Sequence, residues 1–142
     1  MEGDGLIVNK AEIIREAGHL TKDEMKNLLK TKYGIPPGKF EAVMREILPR
    51  ESYYQTNIIE WLQHQFPDAF VWKAAAGPYS RCGLPDVCAI INGQFYGFEV
   101  KRPYLGKPTE LQKQTIQKIR NAGGKAAVVC FPKDCMEVIE HG

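Results

Sequence analysis

Apolar positions recur at helical spacing through the first third of the chain. Lys10 to Ala17 carries Ile13 and Ile14 and stops at Gly18. Thr21-Lys22-Asp23-Glu24 then has the form of a capping box, in which the first side chain and the fourth satisfy each other's backbone N–H groups. Met25, Leu28 and Leu29 follow on one face, and Gly34 ends that helix. Pro36-Pro37-Gly38 breaks the chain, after which Phe40, Val43, Met44 and Ile47 form the stripe of a third helix from about Lys39 to Leu48, stopped by Pro49. A fourth helix is predicted from Glu51 to Phe66, with Glu51, Gln55, Ile58 and Leu62 on one face.

Beyond Pro67-Asp68 the pattern changes from helical spacing to short β-rich runs. Phe70 to Ala75 reads as a first strand, and Gly77 to Arg81 as a polar loop. Val87 to Ile91 and Gln94 to Lys101 flank Asn92-Gly93, the dipeptide that best fits a two-residue type I′ hairpin. Pro103, Gly106 and Pro108 interrupt the chain before Thr109, which opens a helix whose apolar positions are Leu111, Ile116, Ile119 and Ala122 and whose end is Gly123-Gly124. Ala126 to Phe131 is too apolar for a half-exposed strand, so it is expected to be internal and to run parallel to Gln94–Lys101 through a right-handed helical crossover. A short helix from Asp134 to Glu140 closes the pattern. The expected fold is therefore α/β, a mixed sheet flanked by helices, with a helical segment (1–49) preceding the core (50–142).

The hairpin register carries a charge conflict. A two-residue turn at Asn92-Gly93 sets Ile91 against Gln94, Ile90 against Phe95, Cys88 against Gly97 and Asp86 against Glu99. Side chains alternate between faces, so Asp86, Glu99 and Lys101 share one. Like charges directly opposed destabilise a sheet, so the pair requires a compensating cation. Two carboxylates with room for water suit a hard divalent ion such as Mg²⁺ or Mn²⁺, and Lys101 places a fixed positive charge beside it.

Composition narrows the class further. The chain has 142 residues, 25% of them charged, and a net charge of +2. No apolar run approaches the ~18 residues of a membrane span, and MEGDGLIVNK lacks the order of a signal peptide, so a cytoplasmic location without membrane contact is expected. Cys82, Cys88, Cys130 and Cys135 show no metal-ligand spacing and read as reduced, mostly buried thiols. Residues 1–50 hold nine Lys/Arg against eight Asp/Glu, but Val100 to Lys125 holds seven basic residues against Glu110 alone. That run reads either as a solvated helix face or as a face for phosphates.

Pro85-Asp86, twelve intervening residues, then Glu99-Val100-Lys101 resembles the PD-(D/E)xK nuclease motif. The wider pattern GLPD…GFEVKRP…TELQ…AGGKAAVV, over about Glu51 to Phe131, resembles the virus-type replication-repair nuclease (VRR-NUC) family, in a phage-type version. The resemblance implies an αβββαβ restriction-endonuclease-like core and a Mg²⁺- or Mn²⁺-dependent deoxyribonuclease. It implies that Asp86, Glu99 and the Val100 carbonyl hold the metal, that Lys101 orients the attacking water or stabilises the transition state, and that Glu51 and Gln112 complete the catalytic set. Arg81, Arg102, Lys107, Lys113 and Lys118 are the candidate DNA contacts.

For two of these residues a second reading stands beside the first. Glu51 also suits a helix N-terminus through the helix dipole, and Gln112 also suits the capping box that Thr109 opens. Residues 1–49 read as a helical cap, or else as a docking, dimerising or helix-turn-helix-like accessory. The family's junction-resolvase-like members imply a homodimer cutting branched DNA such as a Holliday junction. A non-catalytic DNA-binding module on the same fold and a restriction-type, sequence-specific nuclease are the alternatives. Intact Asp86, Glu99 and Lys101 oppose the first of these, and the shortness of the chain opposes the second.

Overall fold

A computed structural model describes residues 7–74 and 83–142. They fall into two compact units, one within Met1–Pro49 with Pro103–Leu105, the other within Arg50–Arg102 with Gly106–Gly142.

The first unit is helical. Helix α1 (Lys10–Glu16) is capped by Asn9, whose side chain accepts from the Glu12 N–H. In α2 (Lys22–Tyr33) both bonds of the capping box form: Glu24 N–H donates to Thr21 Oγ1 at 3.2 Å and Thr21 N–H to Glu24 Oε1 at 2.9 Å. Gly34, at φ 67°, ends it in the left-handed conformation that only glycine adopts without cost. A 3-10 turn (Pro37–Lys39) leads into α3 (Phe40–Ile47). Ile13, Met25, Leu29, Phe40, Val43, Met44 and Ile47 are buried together in its core. The stretch after Arg102, expected from its prolines to be only a loop, also belongs to this unit. The Tyr104 ring meets Phe40 edge-on at 5.7 Å, and its hydroxyl donates to the Leu20 carbonyl at 2.6 Å.

The second unit runs α4 (Glu51–Gln65), β1 (Phe70–Lys73), β2 (Val87–Ile91), β3 (Gln94–Val100), α5 (Glu110–Asn121), β4 (Lys125–Val129) and α6 (Pro132–His141). The strands form one sheet in the order β1-β2-β3-β4, antiparallel except for the parallel β3–β4 pair. The hairpin takes the register that the turn dictates, with Ile91 opposite Gln94, Ile90 opposite Phe95 and Cys88 opposite Gly97. Asn92 and Gly93 both have positive φ, 51° and 80°, as a type I′ turn requires. Val87, Ala89, Ile91, Tyr96, Phe98 and Val100 face Tyr54, Ile58 and Leu62 of α4 and Cys135 of α6 in the core. No helix among the described residues is long and apolar enough to cross a membrane.

Two expectations are corrected. Strand β4 is parallel to β3 but lies at the sheet edge rather than inside. Both α5 and α6 pack on it and bury Ala126 and Val129, while Val128 stays exposed. In α5 only Ile116 is buried, and Leu111 is 46% exposed. That helix rests on the sheet through a narrow strip, and its remaining face is open to solvent. Of the thiols, Cys88 and Cys135 are buried and Cys130 half-buried, all three unpaired, while Cys82 lies outside the described residues. Burial pushes the Cys88 and Cys130 thiols up to about 11.

Candidate active site

The site forms where the β2–β3 ladder ends. The last opposed pair is Val87 and Phe98, and Asp86 stands one residue beyond it. Its carbonyl accepts from the Ala74 N–H at 2.8 Å, which ties the main chain to the end of β1, and its Oδ2 accepts from the Val100 N–H at 2.8 Å. The Asp86 carboxylate thus takes a backbone donor of the opposite strand and is drawn toward Glu99. Pro85 fixes the approach. It is fully buried, and a Cβ on Gly97 would lie 2.8 Å from its Cγ, so Pro85 occupies the space a side chain at 97 would need.

Glu99 is the most buried acidic group among the described residues, at 1% exposure. Its Oε2 accepts from Gln112 Nε2 at 2.9 Å and lies 3.5 Å from Lys101 Nζ. Its Oε1 is buried and, among the described residues, has no hydrogen-bond partner. Burial, and after it the adjacent Asp86 carboxylate, pushes the Glu99 carboxyl up to about 8, although Lys101 pulls the other way. Lys101 is held in turn: it is largely buried, and a Cβ on Gly106 would fall 2.5 Å from Lys101 Cβ and 3.0 Å from its Cγ and Cδ. Gly106, expected only as a chain breaker, is the floor on which the lysine stem lies.

The Gln112 side chain both caps α5 and reaches Glu99. Its backbone N–H donates to Thr109 Oγ1 at 3.1 Å, and its side-chain oxygen accepts from the Thr109 N–H at 2.8 Å, completing the capping box. The nitrogen of the same side-chain amide donates to Glu99. Glu51 is half-buried at the first position of α4. Burial raises its carboxyl most; the charge of Lys101 lowers it, that of Asp86 raises it and that of Arg102 lowers it. It therefore sits within the field of the site. Among the described residues no three acidic, histidine or cysteine side chains converge as a metal cage.

Of the candidate DNA contacts, Lys107, Lys113 and Lys118 are exposed and Arg102 half-buried, and Lys113 lies 3.3 Å from Glu110 on the same helix. Arg81 lies outside the described residues. Pro85 is already marked by the Pro85-Asp86 motif, but the sequence gives no sign that Gly97 and Gly106 shape the site, because their role is to leave space and has no signature in spacing.

A solved structure described as a VRR_NUC domain matches this chain with probability 1.00, a TM-score of 0.52 and 27% identity, covering 64% of this chain and 95% of that one. The chain is similar to a VRR-NUC domain. The resemblance read from its motifs therefore holds in three dimensions, and the α4-β1-β2-β3-α5-β4 order with its mixed sheet fits the PD-(D/E)xK nuclease type of fold. No protein-family model matches the sequence, and no curated protein does.

The VRR-NUC-like site fits a hard divalent cation on its own geometry. A buried carboxyl oxygen without a donor, beside a second carboxylate, is costly unless a proton neutralises the group or a cation completes it, and a divalent cation would displace that proton. The donors are all oxygen, as Mg²⁺ and Mn²⁺ prefer over zinc.

Proposed function

We propose that the protein is a Mg²⁺- or Mn²⁺-dependent endonuclease that hydrolyses DNA phosphodiester bonds, acting on branched or junction DNA as a homodimer. The observation that carries this reading is the unpartnered, buried Oε1 of Glu99 beside Asp86, with its other oxygen held by Gln112 and Lys101. Asp86, Glu99 and the Val100 carbonyl are the proposed metal ligands. A cation bound there lowers the pKa of water and neutralises charge on the reacting phosphate.

The chain's own groups have the remaining roles. Lys101, fixed by Gly106 and drawn toward Glu99, presents an ammonium group that offsets charge growing on the phosphate without having to reorganise. Gln112 holds the Glu99 carboxylate in one orientation. Glu51 adds negative potential close to Asp86 and Lys101, which favours a cation at that end of the site. Arg102, Lys107, Lys113 and Lys118, with Arg81, supply the phosphate contacts that give affinity by counterion release. Symmetric cleavage of two strands calls for two sites related by a two-fold axis.

The test is incubation with single-stranded, duplex, flap and four-way-junction DNA, with Mg²⁺, with Mn²⁺ and with chelator. Metal-dependent nicking that is strongest on branched DNA and absent in Asp86→Asn is expected. No cleavage of any DNA by protein that binds the metal overturns the reading. Light scattering with and without DNA tests the dimer.

A further inference from the structure

The sheet face that carries Asp86 and Glu99 also carries a row of aromatic rings. In β1, Phe70 pairs with Ile90 and Trp72 with Cys88; in β3, Phe95 pairs with Ile90 and Gly97 with Cys88. Pairing and alternation put Phe70, Trp72, Cys88, Ile90, Phe95, Gly97 and Glu99 on one side of the sheet, opposite the core formed with α4 and α6. The ring centroids of Phe70 and Trp72 are 5.2 Å apart, and those of Trp72 and Phe95 are 6.2 Å apart. The inner end is anchored, since a Cβ on Gly124 would lie 3.2 Å from Phe95 Cδ2. The outer end is open: Phe70 is 66% exposed and Ile90 41%. Because a strand advances about 3.3 Å per residue, the row begins within roughly 13 Å of the carboxylate pair, the four-residue span from Asp86 to Ile90.

Phe70 and Ile90 form an exposed apolar patch at the end of a row whose other rings, Trp72 and Phe95, are half-buried, and such a patch suits a binding surface. Resting on the proposed nuclease function, we infer that this row is a stacking platform for unpaired bases of the DNA strand whose phosphate enters the Asp86–Glu99 site. Three features select a nucleic-acid strand over a protein. The row lies on the same sheet face as the proposed phosphate-cleaving centre, with Pro85 and Cys88 buried between them. Its rings are arranged in sequence, as successive bases are, and every base offers a π-face to such a surface. The basic, solvent-open face of α5 supplies Lys113 and Lys118 for the backbone of the same strand, and α5 packs on β3 and β4 of this sheet. The consequence is a preference for DNA with unpaired bases beside the cleavage position, since a continuous duplex keeps its bases stacked on one another.

The experiment measures affinity for a fluorescent single-stranded oligonucleotide in chelator, so that no cleavage is needed, for the unaltered chain and for Phe70→Ala and Phe70→Tyr. Phe70 is largely exposed, so these changes spare the core. Phe70→Ala is expected to weaken binding about tenfold, within the range for loss of one stacked base, with the slope against salt unchanged because no charge is removed. Phe70→Tyr is expected to restore it, and in a Trp61→Phe background, where Trp72 alone reports, tryptophan emission is expected to be quenched as the oligonucleotide binds. Equal affinity of Phe70→Ala and the unaltered chain overturns the platform. So does a change in oligomeric state in Phe70→Ala without DNA, which would assign the row to a protein interface. Metal-dependent cleavage with no effect at Phe70 rejects the platform alone; ring-dependent binding without cleavage of any DNA rejects the nuclease reading alone.

Discussion

Gln112 and Glu99 are joined by a hydrogen bond of 2.9 Å in which the glutamine donates, while the oxygen of the same amide accepts from the Thr109 N–H at 2.8 Å. One side chain thus caps a helix and aligns a buried carboxylate. The position of α5 and the orientation of Glu99 are set together.

Substitutions at Gln112 separate the two tasks. Gln112→Glu retains an acceptor for the Thr109 N–H but loses the donor and sets a second carboxylate against Glu99. Cleavage is expected to fall by tenfold or more with a melting temperature shift of only a few degrees. Gln112→Ala loses both bonds and is expected to cost about 1 kcal/mol of stability in addition. Chemical denaturation and single-turnover cleavage of both variants check this; unchanged cleavage in Gln112→Glu would assign the residue to the cap alone.

Lys101→Ala is expected to abolish cleavage while leaving metal binding and fold nearly intact. A gentler probe is Gly106→Ala, which places a methyl group 2.5 Å from Lys101 Cβ and forces the lysine stem to move. Cleavage is expected to drop by an order of magnitude or more with metal affinity unchanged by calorimetry. Normal turnover in Gly106→Ala would show that the lysine need not be held where it is.

Glu99 predicts a pH dependence. Its carboxyl is pushed from 4.5 to about 8, so between those values the folded chain keeps a proton that the unfolded chain has released. Stability in chelator is therefore expected to fall as pH rises across that window, and Mg²⁺ or Mn²⁺ is expected to remove the decline by binding only the folded state. Asp86→Asn still has an oxygen to accept from the Val100 N–H, so its metal-free stability should equal or exceed that of the unaltered chain by about 1 kcal/mol at most. The metal-induced rise should be absent from it. Thermal melts from pH 5 to 8.5, with metal and with chelator, decide both points.

Combined Lys113→Ala and Lys118→Ala is expected to weaken duplex binding and lower its log–log salt slope by about 0.9 for each phosphate that is no longer neutralised. Lys113 faces Glu110 at 3.3 Å on an exposed surface, where such pairs contribute little. The change should therefore leave the melting temperature nearly unaltered. An unchanged salt slope would make this a solvated helix face only.

The local part of this architecture was legible because it depends on neighbours in the chain. The capping boxes at Thr21 and Thr109, the Gly34 stop and the Asn92-Gly93 turn are short-range arrangements, and each forms as its residues dictate. The turn then determines the register, and the register brings Asp86 to the end of the strand that holds Glu99. The motif spacing and the fold type follow from that much, and the likeness to a VRR_NUC domain agrees with both.

What only the tertiary structure decided depends on which surfaces meet. Strand β4 reads as internal because apolar residues suggest burial, yet a strand with helices packed on it can lie at an edge and leave an apolar residue, Val128, exposed. The stripe of α5 reads as wider than it is for the converse reason, since periodicity marks a face that can be buried without saying how much of it is. Tyr104 and Leu105 join the helical unit although the prolines around them mark only a loop. Gly97 and Gly106 matter through the atoms that fill their missing side chains, Pro85 and the Lys101 stem. The lone Oε1 of Glu99 is likewise invisible in sequence, because the lack of a donor is a property of everything packed around it.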